Sequence, residues 1–401
     1  MKRITSIFLL AALLMPAAHF APLRAGEEEK PVDTIDDVPR KGRLALFKAQ
    51  EKKNREDFEG AAKELGKYVE KNENAHFLVH YNYGNTLLSI DRPEDALRQY
   101  QDAVVKEPRF WQGWLNLGET AYNLEQYPRA AEAIMSGYNL SPERNPRLLY
   151  FAAAAYLMAQ EPGKARPLLE ELVYEDREDP KLDWYRALIM AAIELEDDEA
   201  GQRAADRMLE VFPDLPDAWK LAFQFAASIQ DYRRAAIAMT VKGYLEPLER
   251  KEMMMLGSLY TAIETPWTAT GYYEEAMAIE ADPADFERLA SVYMAAHEPQ
   301  KALETLERAL AKEPTPKLWS LLGDLYYMEQ EHGKAYEAYG RCYELDPTSG
   351  RSLLMMGFCA LELGNPGDAA VHLEKAVDFP DYSSNASALL KRARHLQKQG
   401  G

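Results

Sequence analysis

Between residues 318 and 347 the apolar positions fall at three- and four-residue intervals, break at a short polar stretch, and then resume. Trp319, Leu322, Gly323 and Tyr326 share one face of a helix, and Ala335, Tyr339 and Cys342 share the inner face of a second. The small residues lie where two packed backbones must approach closely. Gly333 is the expected turn between the helices, and Pro347, after Asp346, the expected stop. The unit this pattern predicts is an antiparallel helix pair.

The unit recurs along the chain. Its second-helix alanine returns as Ala96, Ala130, Ala165, Ala200, Ala235, Ala269, Ala302, Ala335 and Ala369, in steps of 33 to 35 residues. The close-packing position is Gly84, Gly118, Gly257, Gly323 and Gly357, with Ala152 and Ala290 standing in elsewhere. Leu188 and Phe223 depart from it, which predicts looser or differently angled pairs between about 181 and 248, since a large side chain cannot occupy a near-contact of backbones. Trp114, Trp184, Trp219 and Trp319 take one first-helix position, so a packing role accounts for four of the six tryptophans. Prolines from Pro108 to Pro380, among them Pro283, are read as helix stops.

The eight positions Trp319, Leu322, Gly323, Tyr326, Ala335, Tyr339, Cys342 and Pro347 resemble the tetratricopeptide repeat, a helix-turn-helix of about 34 residues with the signature W-x2-L-G-x2-Y, A-x3-F, A and P. Tyr replaces the usual Phe, and Cys the last Ala. The resemblance implies an all-α, right-handed superhelix of nine to ten helix pairs, with the first helices lining a concave groove. The expected array spans 42–383, with 42–76 a degenerate repeat and 77–383 nine repeats. Residues 384–399 are the expected capping helix, its Leu389, Leu390 and Leu396 covering the last repeat.

Lys2 and Arg3 followed by an apolar run from Ile4 to Ala18 read as a secretory signal peptide over 1–25, with 26–41 a flexible leader. Cleavage is expected after Ala25, with Ala18 and Ala21 as alternatives; an uncleaved anchor would begin the same way. The expected address is the periplasm. The formal charge is −18, and loss of Lys2, Arg3 and Arg24 with the signal takes it to −21. So acidic a chain repels phosphate backbones, which argues against nucleic acid as a partner. Acidic runs at 175–179 and 194–199 read as solvated helix ends.

Groove positions implied by the resemblance are Tyr81, Asn85, Leu88, Leu115, Glu119, Tyr122, Leu149, Tyr156, Tyr185 and Ile189. The candidate partner-binding set is Tyr81, Asn85, Leu115, Glu119, Tyr122, Leu149, Tyr156 and Tyr185. This lining suits a polypeptide segment, although packing between repeats would use the same tyrosines. Farther along, Lys220, Gln224, Lys251, Ser258, Glu287, Ser291, Lys317 and Asp324 make the lining polar. Asn85 and Asn116 fall at the asparagine positions of the carboxylate clamp used by some tetratricopeptide domains. Tyr81, Pro146 and Tyr150 stand where that clamp needs basic groups, so nothing would neutralise a carboxylate there.

Catalytic and cofactor signatures are poor. His76 and His80 have metal-binding spacing but no third ligand or HExxH pattern, and are expected to be a surface pair. Cys342 and Cys359 lie on helices expected to touch; two buried thiols are expected over a disulfide. Trp267 is off the repeat pattern. No enzyme activity, metal, cofactor or small-molecule substrate is expected.

Segments 148–173, 216–236 and 257–277 also resemble a bacterial exported tetratricopeptide group that accompanies ExbB, ExbD and TonB. That resemblance implies a periplasmic scaffold or adaptor accessory to TonB-dependent energy transduction, with those proteins as partners. The alternatives are an assembly factor or chaperone for secretion, pili or envelope complexes and, remotely, a superhelical cell-wall hydrolase.

Overall fold

The computed structural model describes residues 34–175 and 179–400. The signal peptide and most of the leader expected from sequence, and the centre of the acidic run at 175–179, lie outside the described residues. Within them every regular element is a helix, and no helix is long and apolar enough to cross a membrane. The chain divides into two compact units, 1–213 and 214–401.

The first unit holds five helix pairs: α1 and α2 (Arg40–Lys53, Phe58–Lys71), α3 and α4 (Phe77–Leu88, Pro93–Lys106), α5 and α6 (Trp111–Asn123, Tyr127–Leu140), α7 and α8 (Pro146–Met158, Pro162–Tyr174), and α9 and α10 (Leu182–Glu194, Asp198–Val211). The second holds α11 and α12 (Pro216–Ser228, Tyr232–Leu245), α13 and α14 (Arg250–Ala262, Pro266–Ile279), α15 and α16 (Pro283–Ala295, Pro299–Lys312), α17 and α18 (Pro316–Met328, His332–Leu345), α19 and α20 (Gly350–Glu362, Pro366–Ala376), and the single helix α21 (Ser383–Gly400).

One turn closes all ten pairs. One residue after the first helix's C-cap, or two in the first two pairs, the chain takes a left-handed φ: Glu56, Asp91, Glu125, Gln160, Glu196, Gln230, Glu264, His297, Gln330 and Gly364. The next residue donates its N–H five positions back, as from Gln126 to Ala121 O at 2.8 Å and from Glu331 to Tyr326 O at 2.8 Å. This is the Schellman closure, which supplies partners to carbonyls the helix end leaves open. Glycine is the usual occupant of such a site, yet only the last pair uses one. The expectation that Gly333 makes the turn is therefore corrected: Gln330 makes it, and Gly333 lies inside the first turn of α18. Pro283 is corrected as well. It opens α15 at the first helical position, where its missing N–H costs nothing.

Each pair packs around a notch and a plug. A Cβ built on Gly84, Gly257 or Gly323 would lie 2.7 to 2.9 Å from the ring of Tyr100, Tyr273 or Tyr339, and on Gly118 or Gly357 as close to Ile134 or Leu373. The plug stands four residues after the second-helix alanine. In the pair α9 and α10 the same two positions hold Leu188 and Ala204, both buried, so the bulk has changed sides and the volume is kept. In α11 and α12 they hold Phe223 and Met239, and Phe223 is only partly buried. Large residues at the notch are thus accommodated by exchange or by partial withdrawal.

The alanines Ala96, Ala130, Ala165, Ala235, Ala269, Ala302, Ala335 and Ala369 are all fully buried. Helix α21 buries Ala386, Leu390 and Ala393 on the last pair; Leu396, expected on that face, is exposed. Cys342 and Cys359 are buried free thiols, with the Ser352 hydroxyl donating to Cys342 Sγ at 3.0 Å and burial pushing the Cys359 thiol up to about 11. Buried charge is paired. Lys242 meets Glu246 at 2.8 Å and Glu252 at 3.0 Å, and Arg250 of α13 binds Asp285, 1% exposed, of α15.

Candidate partner-binding face

Two properties of the repeat bring side chains to the first-helix face. The glycine of the notch lets a second-helix tyrosine reach through the pair, and the residue after that glycine points to the first-helix surface beside the tyrosine's hydroxyl. In the first unit Tyr100 donates to Asn85 Oδ1 at 2.6 Å, and Asn116 Nδ2 of the next first helix donates to the same oxygen at 2.9 Å. Ser258 and Tyr273 share a hydrogen bond of 2.9 Å in the second unit, and there Tyr339 donates to Asp324 Oδ1 at 2.6 Å. Arg351 completes that last cluster, reaching Asp324 Oδ1 at 2.7 Å and Ser320 Oγ at 2.9 Å. A glycine, a polar residue beside it and a tyrosine sixteen positions on was a signal in the sequence, and reading first helices alone missed it.

Burial holds Tyr100 and Tyr339 protonated far above the ordinary tyrosine range. The Asp324 carboxylate adds to this for Tyr339, whereas the Asn116 amide works against it for Tyr100.

The first unit carries the aromatic face. Tyr81, half-buried, sets its edge against Phe110 at 4.9 Å and lies 5.9 Å from Tyr100. Tyr122 packs edge-on against Tyr127 at 5.4 Å, and Tyr156 lies under Lys164 Nζ at 5.4 Å. Tyr150, absent from the expected set, stands beside Phe151 with Asp183 and Arg186 of α9 as charged neighbours, and burial pushes its hydroxyl up to about 12. Glu119 and Asn85 are the polar groups of the row and are half-buried.

Three of the eight candidate residues are corrected. Leu149 and Tyr185 are 0% and 1% exposed and Leu115 is buried too, so a partner cannot reach them. Leu115 and Tyr185 pack inside their own helix pairs: Leu115 fills the space where a Cβ on Gly137 of α6 would lie, 2.4 Å from its Cδ2, and Tyr185 sets its ring edge-on to Phe212 at the end of α10. Ile189 is likewise fully buried, while Leu88 is exposed. The accessible row is Tyr81, Asn85, Glu119, Tyr122, Tyr150 and Tyr156.

In the second unit Lys220, Gln224, Lys251, Ser258, Ser291 and Lys317 are exposed, and Glu287 and Asp324 half-buried. Ser258, Glu287, Ser291 and Lys317 line one cavity of about 410 Å³ together with Thr261, Tyr273 and Arg288. Lys317 pairs with Glu287 at 3.2 Å. His80, expected at the surface, is instead buried against Gln99 Oε1 at 2.9 Å, and burial lowers its pKa. Among the described residues no three His, Cys, Asp or Glu side chains gather at metal-binding distance.

A row of helix pairs that spends its buried groups on packing and leaves rings and amides along one face is a helical-repeat protein, built to present a surface. The tetratricopeptide repeat family matches residues 81–142 and 287–350, and the chain carries tetratricopeptide repeats. In fold it is similar to three crystal structures: MamA (21% identity, TM-score 0.38, 42% of this chain and 94% of that one), YrrB, a TPR protein with an unusual peptide-binding site (20%, 0.38, 47% and 98%), and PilW, a widely conserved type IV pilus biogenesis factor (16%, 0.37, 52% and 97%). No curated protein sequence matches the chain.

Proposed function

We propose that the chain is an exported adaptor that grips a segment of another protein on the first-helix face of its first unit. The observation that carries this reading is the row Tyr81, Tyr122, Tyr150 and Tyr156, whose rings are half-buried and braced by their own neighbours. Rigid, amphipathic rings held in place give contact area at low entropic cost, and Asn85 and Glu119 between them offer hydrogen bonds to a backbone. The periplasmic address rests on Lys2, Arg3 and the apolar run after them, and TonB, ExbB and ExbD are the partner set to test first, on the resemblance of 148–173, 216–236 and 257–277.

The test is recovery of partners from solubilised envelope on the immobilised chain, beside a Tyr122→Ala, Tyr150→Ala double variant. Recovery of ExbB, ExbD or TonB that the variant loses supports the whole reading. Recovery of a secretin or pilin, lost in the same way, keeps the adaptor and replaces the client. Equal recovery by both chains removes the first-helix face from the account.

A further inference from the structure

From Ile237 to Tyr244 the outer face of α12 lacks the charged residues that α10 and α18 carry, and on α14 exposed charge is confined to Glu274 and Glu275. Exposed positions of α10 include Glu199, Arg203, Asp206 and Glu210, and those of α18 include Lys334, Glu337, Arg341 and Glu344. On α12 the outward row is Arg233, Ile237, Val241 and Tyr244, with Ile237 53% and Tyr244 83% exposed. Its inward row, Ala235, Ala236, Met239 and Lys242, is buried, so beyond Arg233 and Arg234 in its first turn the helix carries apolar side chains on both faces. A helix of that kind is ordinarily covered on both sides. On α14, Trp267 is 65% exposed, and a Cβ on Gly271 would meet nothing within 4 Å. An exposed mid-helix glycine costs about 1 kcal/mol relative to alanine, a cost that close approach of another surface would justify. Between the two helices lies a crevice of about 460 Å³ whose lining includes Tyr244, Leu248, Met253, Gly271, Tyr272 and the carboxylate of Glu275.

We infer that this face is a two-fold contact with a second copy of the chain, made by antiparallel α12 helices. Charge and register select that occupant. The basic group Arg233 opens the row and the exposed Glu249 follows its end, beyond Glu246, which Lys242 already pairs, so turning one copy end over end sets Arg233 of each toward Glu249 of the other. The same turn puts Ile237 of one copy against Tyr244 of the other, beside the crevice. A two-fold contact needs such self-complementarity, with an aromatic anchor at its centre and charges at its rim.

Sedimentation velocity on the full chain at micromolar concentration tests it, with circular dichroism confirming the fold of each variant. The expected result is a dimer that Tyr244→Glu and Ile237→Ser each weaken at least ~10-fold. Arg233→Glu weakens it too, and Arg233→Glu with Glu249→Arg restores it. A wild-type chain that stays monomeric, a dimer indifferent to Tyr244→Glu, or a photo-crosslinker at residue 237 that captures only other proteins would overturn the inference. None of these outcomes touches the first-helix face, so the adaptor reading stands or falls separately.

Discussion

Tyr100 and Tyr339 occupy the same place in two helix pairs, one in each unit, and hand their hydroxyls to different partners. Each ring plugs a glycine notch, Gly84 or Gly323, and each hydroxyl reaches the residue after that glycine. In the first unit the acceptor is Asn85, shared with Asn116; in the second it is Asp324, shared with Arg351. The neutral cluster consists of amides, which can exchange a partner inside the protein for one on a bound backbone at small cost. The charged cluster is a locked ion pair, because removing one member leaves a half-buried charge alone. One packing device thus supports an adaptable surface in one unit and a fixed one in the other.

The largest effects should come from the rings. Tyr100→Ala and Tyr339→Ala each open a large cavity and should cost about 3–5 kcal/mol, read by denaturant unfolding of either variant. A smaller cost in one of them would mean that its pair collapses to fill the gap. Next come the notches. Gly84→Ala and Gly323→Ala force a Cβ onto the ring and should each cost about 1–3 kcal/mol, equally in the two units. Hydroxyl removal separates them. Tyr100→Phe should cost about 1 kcal/mol and Tyr339→Phe about 2, since the second loses a hydrogen bond to a charged acceptor. Equal costs would dissolve the comparison.

Alkaline pH gives a finer reading. A folded tyrosine whose pKa is raised contributes stability that is full below the unfolded value of about 10 and is lost as pH rises through the folded one. Stability should therefore fall above pH 10, with Tyr150 ionising near 12 and Tyr339 holding its proton longer than Tyr100. Tyrosinate absorbance on the two Tyr→Phe variants would rank them. The smallest effect is a control. Glu125→Gly and Gln330→Gly each relieve a left-handed φ and should stabilise by up to about 1 kcal/mol, alike in both units.

The helix pairs, their register and the notch were legible in the sequence because alanine and glycine at fixed spacing leave few other readings. The turns were not. Gly333 drew attention because glycine favours left-handed backbone, but the five-back hydrogen bond supports Glu, Gln, Asp or His at that position just as it supports Gly364. The accessible face was half legible. Counting along first helices picks out Tyr81, Asn85, Glu119, Tyr122 and Tyr156, which are accessible, and equally Leu115, Leu149 and Tyr185, which are buried. Counting fixes a direction around a helix axis, and only the helices packed beside it decide whether that direction ends in water. Tyr150 was passed over because its position was read for a positive charge it lacks.

The central claim is that the tyrosine row of the first unit holds another polypeptide. A photo-crosslinking amino acid placed at Tyr122 in the chain as its cell makes it, beside the same substitution at Glu337 on a second helix, tests this most directly. One discrete adduct is expected from position 122 and none of that mass from position 337. Identical adducts from both positions, or none from 122, would contradict it.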